Sequence, residues 1–281
     1  MIIFKTATSL TNHLHTLQAS GKSIGFVPTM GALHDGHLTL IAASKKENDI
    51  TVCSIFINPT QFNNADDFNK YPVTVEKDIE QLVAAGCQVL FLPSVAEVYP
   101  PNHQKKHYNL GTLEHVLEGY YRPGHFQGVC EVVDRLLSIV NPDRLYLGQK
   151  DYQQCMVIKK LIAITGRKKP ELQFVPTRRE DSGLAMSSRN LRLNDVEKVT
   201  ATTIAAALQY IKEAWPAQPA ETVKAAAAQM LQQKGFVIDY VEIADAENLL
   251  PLQQADGNKK AVALIAASLG NVRLIDNMFL N

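Results

Sequence analysis

Cysteine is scarce in this 281-residue chain: Cys53, Cys87, Cys130 and Cys155 stand far apart, each in an apolar segment. That spacing excludes a disulfide framework or a zinc ribbon and predicts buried, reduced thiols. An excess of one charge is also missing, because 28 basic residues face 28 acidic ones and the isoelectric point is about 7.1. Composition therefore offers no basic face for nucleic acid or for an anionic membrane. No apolar run approaches the roughly 18 residues that cross a bilayer. Met1-Ile2-Ile3-Phe4-Lys5 lacks the basic-then-apolar layout of a signal peptide. The expectation is a soluble cytoplasmic protein that binds neither nucleic acid nor membrane. Two catalytic devices are absent as well. There is no G-x-x-x-x-G-K-[ST] loop for γ-phosphoryl transfer, and nothing supplies a serine triad or a cysteine nucleophile.

What is present is alternation. The length suits two domains, and 46% apolar residues allow a full core. Periodicity predicts helices over 8–20, 36–47 and 75–85, a helical core face over 129–140, and a helix over 151–164. Between them lie strand-like runs at 23–27, 50–57, 87–92, 144–147 and 172–175. Strand–helix alternation predicts a Rossmann-like α/β domain over residues 1–177, with a parallel sheet, helices on both faces and ligands beyond the carboxyl ends of the strands. Composition shifts after about Leu193. Asn194 and Asp195 predict the cap of an alanine-rich helix running to Trp215, and Pro216 and Pro219 end it. A helix over 221–234 and strands over 237–243, 261–267 and 272–275 follow. Residues 178–281 thus read as a smaller α+β domain. Long irregular loops are expected at 58–71 and 99–108.

Five segments carry candidate chemistry. The first is Pro28-Thr29-Met30-Gly31-Ala32-Leu33-His34-Asp35-Gly36-His37, a glycine-bearing turn between a strand and a helix. Such a turn is where an α/β fold meets phosphate, and two imidazoles there suit the charge that develops as pyrophosphate leaves. Two histidines also fit zinc, but no third or fourth ligand follows at metal spacing. The second is Asn58-Pro59-Thr60-Gln61-Phe62-Asn63, where Gln61 is a donor and acceptor at a strand end. The third, Arg122-Pro123-Gly124-His125-Phe126, reads adequately as a turn before a capped helix. The fourth is Gly148-Gln149-Lys150-Asp151-Tyr152-Gln153-Gln154: Lys150 is a mobile charge for phosphate, Asp151 a helix cap or ribose acceptor, and Gln154 lies one turn into the helix. The fifth, Gly183-Leu184-Ala185-Met186-Ser187-Ser188-Arg189-Asn190, fits a solvated loop and a triphosphate clamp equally well. Together the set suits attack on the α-phosphate of a nucleotide triphosphate.

On these blocks, which keep family order and spacing over essentially the whole chain, the sequence resembles the pantoate–β-alanine ligase family, of the HxGH nucleotidyltransferase group related to class I aminoacyl-tRNA synthetases. The tail Gly270-Asn271-Val272-Arg273-Leu274-Ile275-Asp276-Asn277 also looks like that family's C-terminal domain. The resemblance implies ATP-dependent joining of (R)-pantoate and β-alanine through pantoyl adenylate, with Mg²⁺ accompanying ATP, and a homodimer. Carried over residue by residue, Met30, Gly31, Ala32, Leu33, His34, Asp35, Gly36 and His37 form the ATP loop. His37 is its proton donor, with His34 beside it. Gly148, Gln149, Lys150, Asp151 and Arg178 contact ATP, with Lys150 catalytic. Met186, Ser187, Ser188 and Arg189 form a mobile loop equivalent to the KMSKS element. Gln61 and Gln154 hold pantoate, and Gln61 also lies near β-alanine. Asp78 and Gln81 are the implied Mg²⁺ contacts, with Lys77 where a carboxylate is usual. The chain further departs from the pattern at Val73, Gln149, Arg178 and Ser182. The amides of Gln61 and Gln154 argue against an adenylyltransferase whose substrate carries phosphate, which would want cations there. The lack of a basic surplus argues against a tRNA synthetase. A nucleotide-binding regulatory module would have no need of His37 and Lys150.

Overall fold

A computed structural model describes residues 1–63 and 68–281; part of the loop expected at 58–71 therefore lies outside the described residues. Six strands form one parallel sheet: β1 (Ile2–Phe4), β2 (Ile24–Thr29), β3 (Ile50–Ile55), β4 (Val89–Phe91), β5 (Arg144–Gly148) and β6 (Glu171–Val175). Their spatial order is β1-β4-β3-β2-β5-β6. The chain thus winds outward from β2 in one direction through β3 and β4, then returns to lay β5 and β6 on the opposite side. The strand order reverses between β2 and β5, which pair through Gly25 with Arg144 and Phe26 with Leu145.

Alternation along the strands sorts side chains onto two faces. Ile24, Phe26, Val52, Val89, Phe91, Leu145 and Leu147 join one core, under helices α1 (Ala7–Ala19), α4 (His125–Val140) and α5 (Tyr152–Ile164). Val27, Cys53, Ile55, Leu90 and Tyr146 point the other way, under α2 (Asp35–Glu47) and α3 (Val75–Ala84). The helices on both faces are those the sequence pattern predicts. The four cysteines are all buried and free, as their apolar surroundings imply. Gly25 is what lets α2 approach β2: a Cβ there would lie 2.2 Å from Ser44 Oγ and 2.6 Å from Asn48 Nδ2.

The second unit is a three-stranded antiparallel sheet, β7 (Val237–Asp245), β8 (Ala261–Leu269) and β9 (Val272–Phe279), in the order β7-β8-β9. One face of β8, with Ala263, Ile265 and Ala267, packs on α7 (Thr203–Ala214) and α8 (Ala220–Gln232). Its other face, with Val262 and Leu264, belongs to the core of the first sheet. The small sheet is therefore held between its own helices and the larger unit, and Tyr152 in α5 donates to Ala246 O at 2.6 Å across that junction.

Two expectations change. The helix expected from Asp195 to Trp215 is two helices, α6 (Asp195–Ala201) and α7, with Thr202 between them. Thr200 and Thr202 hydroxyls bond back to Val196 O and Val199 O, competing with the helical ladder at that point. Strand β1 has no counterpart in the sequence reading, because three residues at a sheet edge carry no periodicity. Replacing Gly25 with alanine is expected to lower unfolding free energy by about 1–3 kcal/mol, the usual cost of overpacking. Urea denaturation measures it, and an unchanged midpoint would refute the close-approach argument.

Candidate active site

Turns at the carboxyl ends of β2, β3 and β5 meet in one cleft of about 250 Å³, beside the point where the strand order reverses. This is where an open α/β sheet leaves a crevice, since the loops from adjacent strands run in opposite directions. Met30, His34, Gly36 and His37 reach it from β2, and Gln61 from the turn after β3. Gly148, Lys150, Asp151 and Gln154 come from the turn after β5 and the start of α5. Arg178, Met186, Ser187, Ser188 and Arg189 close the opposite side.

The two histidines have a local structural logic. His34 is the N-cap of α2 and His37 is its third residue, and they form a reciprocal capping box. Gly36 N–H donates to His34 Nδ1 at 3.1 Å, and His34 N–H donates to His37 Nδ1 at 3.4 Å. Gly36 is small because a Cβ would lie 2.8 Å from His34 Cε1. Since both Nδ1 atoms accept, each neutral ring carries its proton on Nε2. The ring centres are 4.1 Å apart. Burial and the nearby Lys150 push His34 down to a pKa of about 4. Burial, His34 and Lys150 push His37 down to about 3. The cleft therefore presents two neutral Nε2–H donors at neutral pH, alongside the Lys150 ammonium, whose side chain is 16% exposed and lies 3.9 Å from Asp151.

The rest of the loop faces inward. Gly31 and Ala32 take consecutive positive φ angles, 83° and 49°, which turns successive N–H groups to one side. Ala32 N–H and Leu33 N–H both donate to the buried Asp78 carboxylate, at 3.0 and 2.8 Å. Gly31 N–H donates to Thr29 Oγ1 at 3.2 Å. Gly31, Ala32 and Leu33 are buried and Asp35 is exposed, so of the expected ATP loop only Met30, His34, Gly36 and His37 line the cleft. Ser188 is buried, and its hydroxyl donates to Ala32 O at 3.0 Å, pinning the Met186–Arg189 stretch to the same loop. Gln149 does not line the cleft, and its Nε2 donates to Asn277 Oδ1 at 3.4 Å. Asn277 Nδ2 in turn donates to the carbonyls of Gln149 and Lys150, so β9 props up the turn after β5.

Asp78 and Gln81 do not fit a protein-held Mg²⁺. Both oxygens of Asp78 already accept protein donors, Thr74 Oγ1 included. Gln81 Oε1 is buried with no hydrogen-bond partner among the described residues, and neither residue lines the cleft. Among the described residues no group of three or more His, Cys, Asp or Glu converges. Lys77, Val73 and Ser182 are exposed. Sequence reasoning missed three positioning roles. Asp78 organises the loop after β2. Asn58 supports the Gln61 amide, its Nδ2 lying 3.1 Å from Gln61 Oε1. Glu118 is buried and pairs with Arg273 of β9 at 2.6 Å, tying the small sheet to the first unit beside the cleft. The Asp-to-loop contact spans 45 residues and leaves no local pattern to read.

A doubly wound α/β fold with imidazole donors, a lysine and two amides lining the cleft beside its switch point defines a nucleotide-binding enzyme of the HxGH type. The family model described as pantoate-beta-alanine ligase matches residues 2–279, and the chain belongs to that family. It is 42% identical to a pantothenate synthetase of Cytophaga hutchinsonii, with 99% of each chain covered. It is 41% identical to that of Aquifex aeolicus, with 98% of each covered. The solved Thermus thermophilus pantothenate synthetase superposes with a TM-score of 0.92 at 37% identity, covering 100% of this chain and 99% of that one. A Francisella tularensis pantoate-beta-alanine ligase, solved in complex with beta-gamma ATP and beta-alanine, gives 0.83 at 36% identity, covering 100% and 98%.

Asp78→Ala is expected to cost about 2–4 kcal/mol of stability, because two buried N–H groups lose a charged acceptor. It should also raise the KM for ATP; urea unfolding and steady-state kinetics test both, and a variant normal in each would refute the clamp. Acid should destabilise the fold through the buried imidazoles. His34 and His37 take up protons at 6.5 when unfolded but only near 4 and 3 when folded. The unfolded state therefore binds more protons between those values, and stability is complete above pH 6.5 and falls as pH drops toward 3. A His37→Gln variant, which keeps the capping box, should show a slope between about pH 6 and 5 shallower by about 1.4 kcal/mol per unit. An equal slope in urea titrations would contradict the assignment.

Proposed function

We propose that the chain makes pantothenate from (R)-pantoate, β-alanine and ATP through a pantoyl-adenylate intermediate, releasing pyrophosphate and then AMP. The observation that carries this reading is the meeting of neutral Nε2–H donors, the Lys150 ammonium and the two amides of Gln61 and Gln154 in one cleft. Charge-bearing donors suit a triphosphate, and uncharged amides suit a small hydroxy acid. The family match and the beta-alanine complex of the Francisella tularensis relative support it.

In this reading a pantoate carboxylate oxygen forms a bond to the α-phosphorus. The bond from that phosphorus to the bridging oxygen breaks, and its electron pair leaves on pyrophosphate. Pantoate needs no general base, since a carboxylic acid with a pKa of about 4 is already ionised at neutral pH. The protein's task is alignment and charge stabilisation. His37 Nε2–H stands as the donor to the leaving oxygen, with His34 beside it. Lys150 and Arg189 offset charge on the phosphates, and Ser187, Ser188, Met186 and Arg178 close over the nucleotide. Gln61 and Gln154 hold pantoate. The β-alanine amine then attacks the acyl carbon, the bond from that carbon to the AMP oxygen breaks with its electron pair leaving on AMP, and the proton lost from nitrogen passes to solvent. Mg²⁺ would enter bound to the ATP phosphates. Residues 1–177 would form the catalytic domain and residues 178–281 its lid, in a cytoplasmic homodimer.

ATP–pyrophosphate exchange tests the reading. Exchange should require pantoate and not β-alanine. His37→Ala and Lys150→Ala should each lower it on the order of 100-fold or more, as for single charge-stabilising donors elsewhere. Exchange supported equally by unrelated acids, or a variant with near-normal rate, would overturn it.

A further inference from the structure

We infer that His125, which lines the same cleft, is a positioning residue for pantoate: it fixes the turn that presents Gln61. The inference rests on Gln61 being a pantoate ligand. His125 opens α4 and is buried at 5% exposure. Its Nε2 lies 3.1 Å from Arg122 Nη1 and its Nδ1 lies 2.8 Å from Gln61 O. A guanidinium can only donate, so Nε2 accepts and the ring proton sits on Nδ1. That proton is donated to the Gln61 carbonyl. This is the opposite tautomer from His34 and His37, and the Arg122 donor sets it. Burial, followed by the Arg122 charge, holds the ring neutral, with its pKa down to about 3.

The turn that His125 grips is held at the Gln61 backbone by this contact and elsewhere by α4 and Asn58. It is three residues, Pro59–Gln61, in a single 3-10 turn. It is backed by α4 at Gly128, where a Cβ would lie 2.3 Å from Thr60 O. Asn58 holds the turn from the other side. Its Nδ2 bonds Gly128 O at 3.1 Å, and its Oδ1 accepts from Thr60 N–H and Tyr99 O–H at 3.3 and 2.9 Å. Asn58 thus orients the Gln61 side chain, while His125 sets the backbone it hangs from. Arg122 has a further partner in Glu118 at 3.6 Å, and Glu118 also binds Arg273 of β9 and Tyr240 of β7. The chain Arg273–Glu118–Arg122–His125–Gln61 therefore runs from the small sheet to the pantoate turn.

The test uses the isosteric logic of the two ring nitrogens. An asparagine amide can occupy the Nδ1 position and still donate to Gln61 O; alanine and glutamine cannot. His125→Ala and His125→Gln should raise the pantoate KM in the full reaction by about tenfold, the worth of a buried hydrogen bond, with the ATP KM unchanged. His125→Asn should recover the pantoate KM to within about threefold of wild type, on the same hydrogen-bond scale. None of the three should move the pH profile between about 6 and 8, because the ring stays neutral across that range. Thermal denaturation of each variant separates folding from positioning. An asparagine variant as impaired as alanine, an equal rise in ATP KM, or an unchanged pantoate KM in the alanine variant would each overturn the proposal. Wild-type enzyme lacking pantoate-dependent exchange would instead overturn the function itself.

Discussion

The pairing of β2 with β5 is the constraint on which the rest depends. The chain leaves β2 toward β3 on one side and returns to β5 on the other, so the turns after these two strands diverge and leave a crevice. That reversal places the groups carried by the turns after these strands. The capping histidines of α2 follow β2, Lys150 follows β5, and Gln61 follows β3 one strand further out. These three groups are far apart in sequence; adjacency at the sheet edge brings them together.

A second layer holds the crevice to shape. Asp78 takes up two amides of the loop after β2, and Ser188 takes its Ala32 carbonyl. One buried carboxylate thus takes up two N–H groups that would otherwise be open to anions. The small sheet adds support from the far side, through Asn277 under the turn after β5 and the Arg273–Glu118 ion pair. Both contacts tie strand β9 to backbone or carboxylate of the first unit, where a partner left unpaired would be costly.

Much of this was legible in the chain. Five of the six parallel strands and the major helices announced themselves by period, and the β2 loop and the Lys150 turn by type and spacing. Other features were not. Asp78, read as a metal contact by resemblance, serves the loop backbone, because which atoms face a carboxylate depends on packing between β2 and α3. The break at Thr202 depends on threonine hydroxyls choosing backbone carbonyls over solvent, which periodicity does not report. Arg122 and His125 read adequately as a turn and a helix start, and that reading is locally correct. Their further grip on Gln61 joins residues 64 apart.

The sequence by itself determined the alternating architecture, the reduced thiols and the stock of chemical groups, because hydrophobic period and side-chain type are local properties. It also determined the capping box, since His34 and His37 lie three residues apart at a helix start and Gly36 leaves room for the ring. Only the tertiary structure decided which tautomer the His125 imidazole holds and which loop amides are already spent. It also decided which of the resemblance-derived positions face the cleft. Those outcomes are fixed by contacts between segments tens of residues apart, and by burial, which lowers an imidazole pKa only once the chain has closed around it.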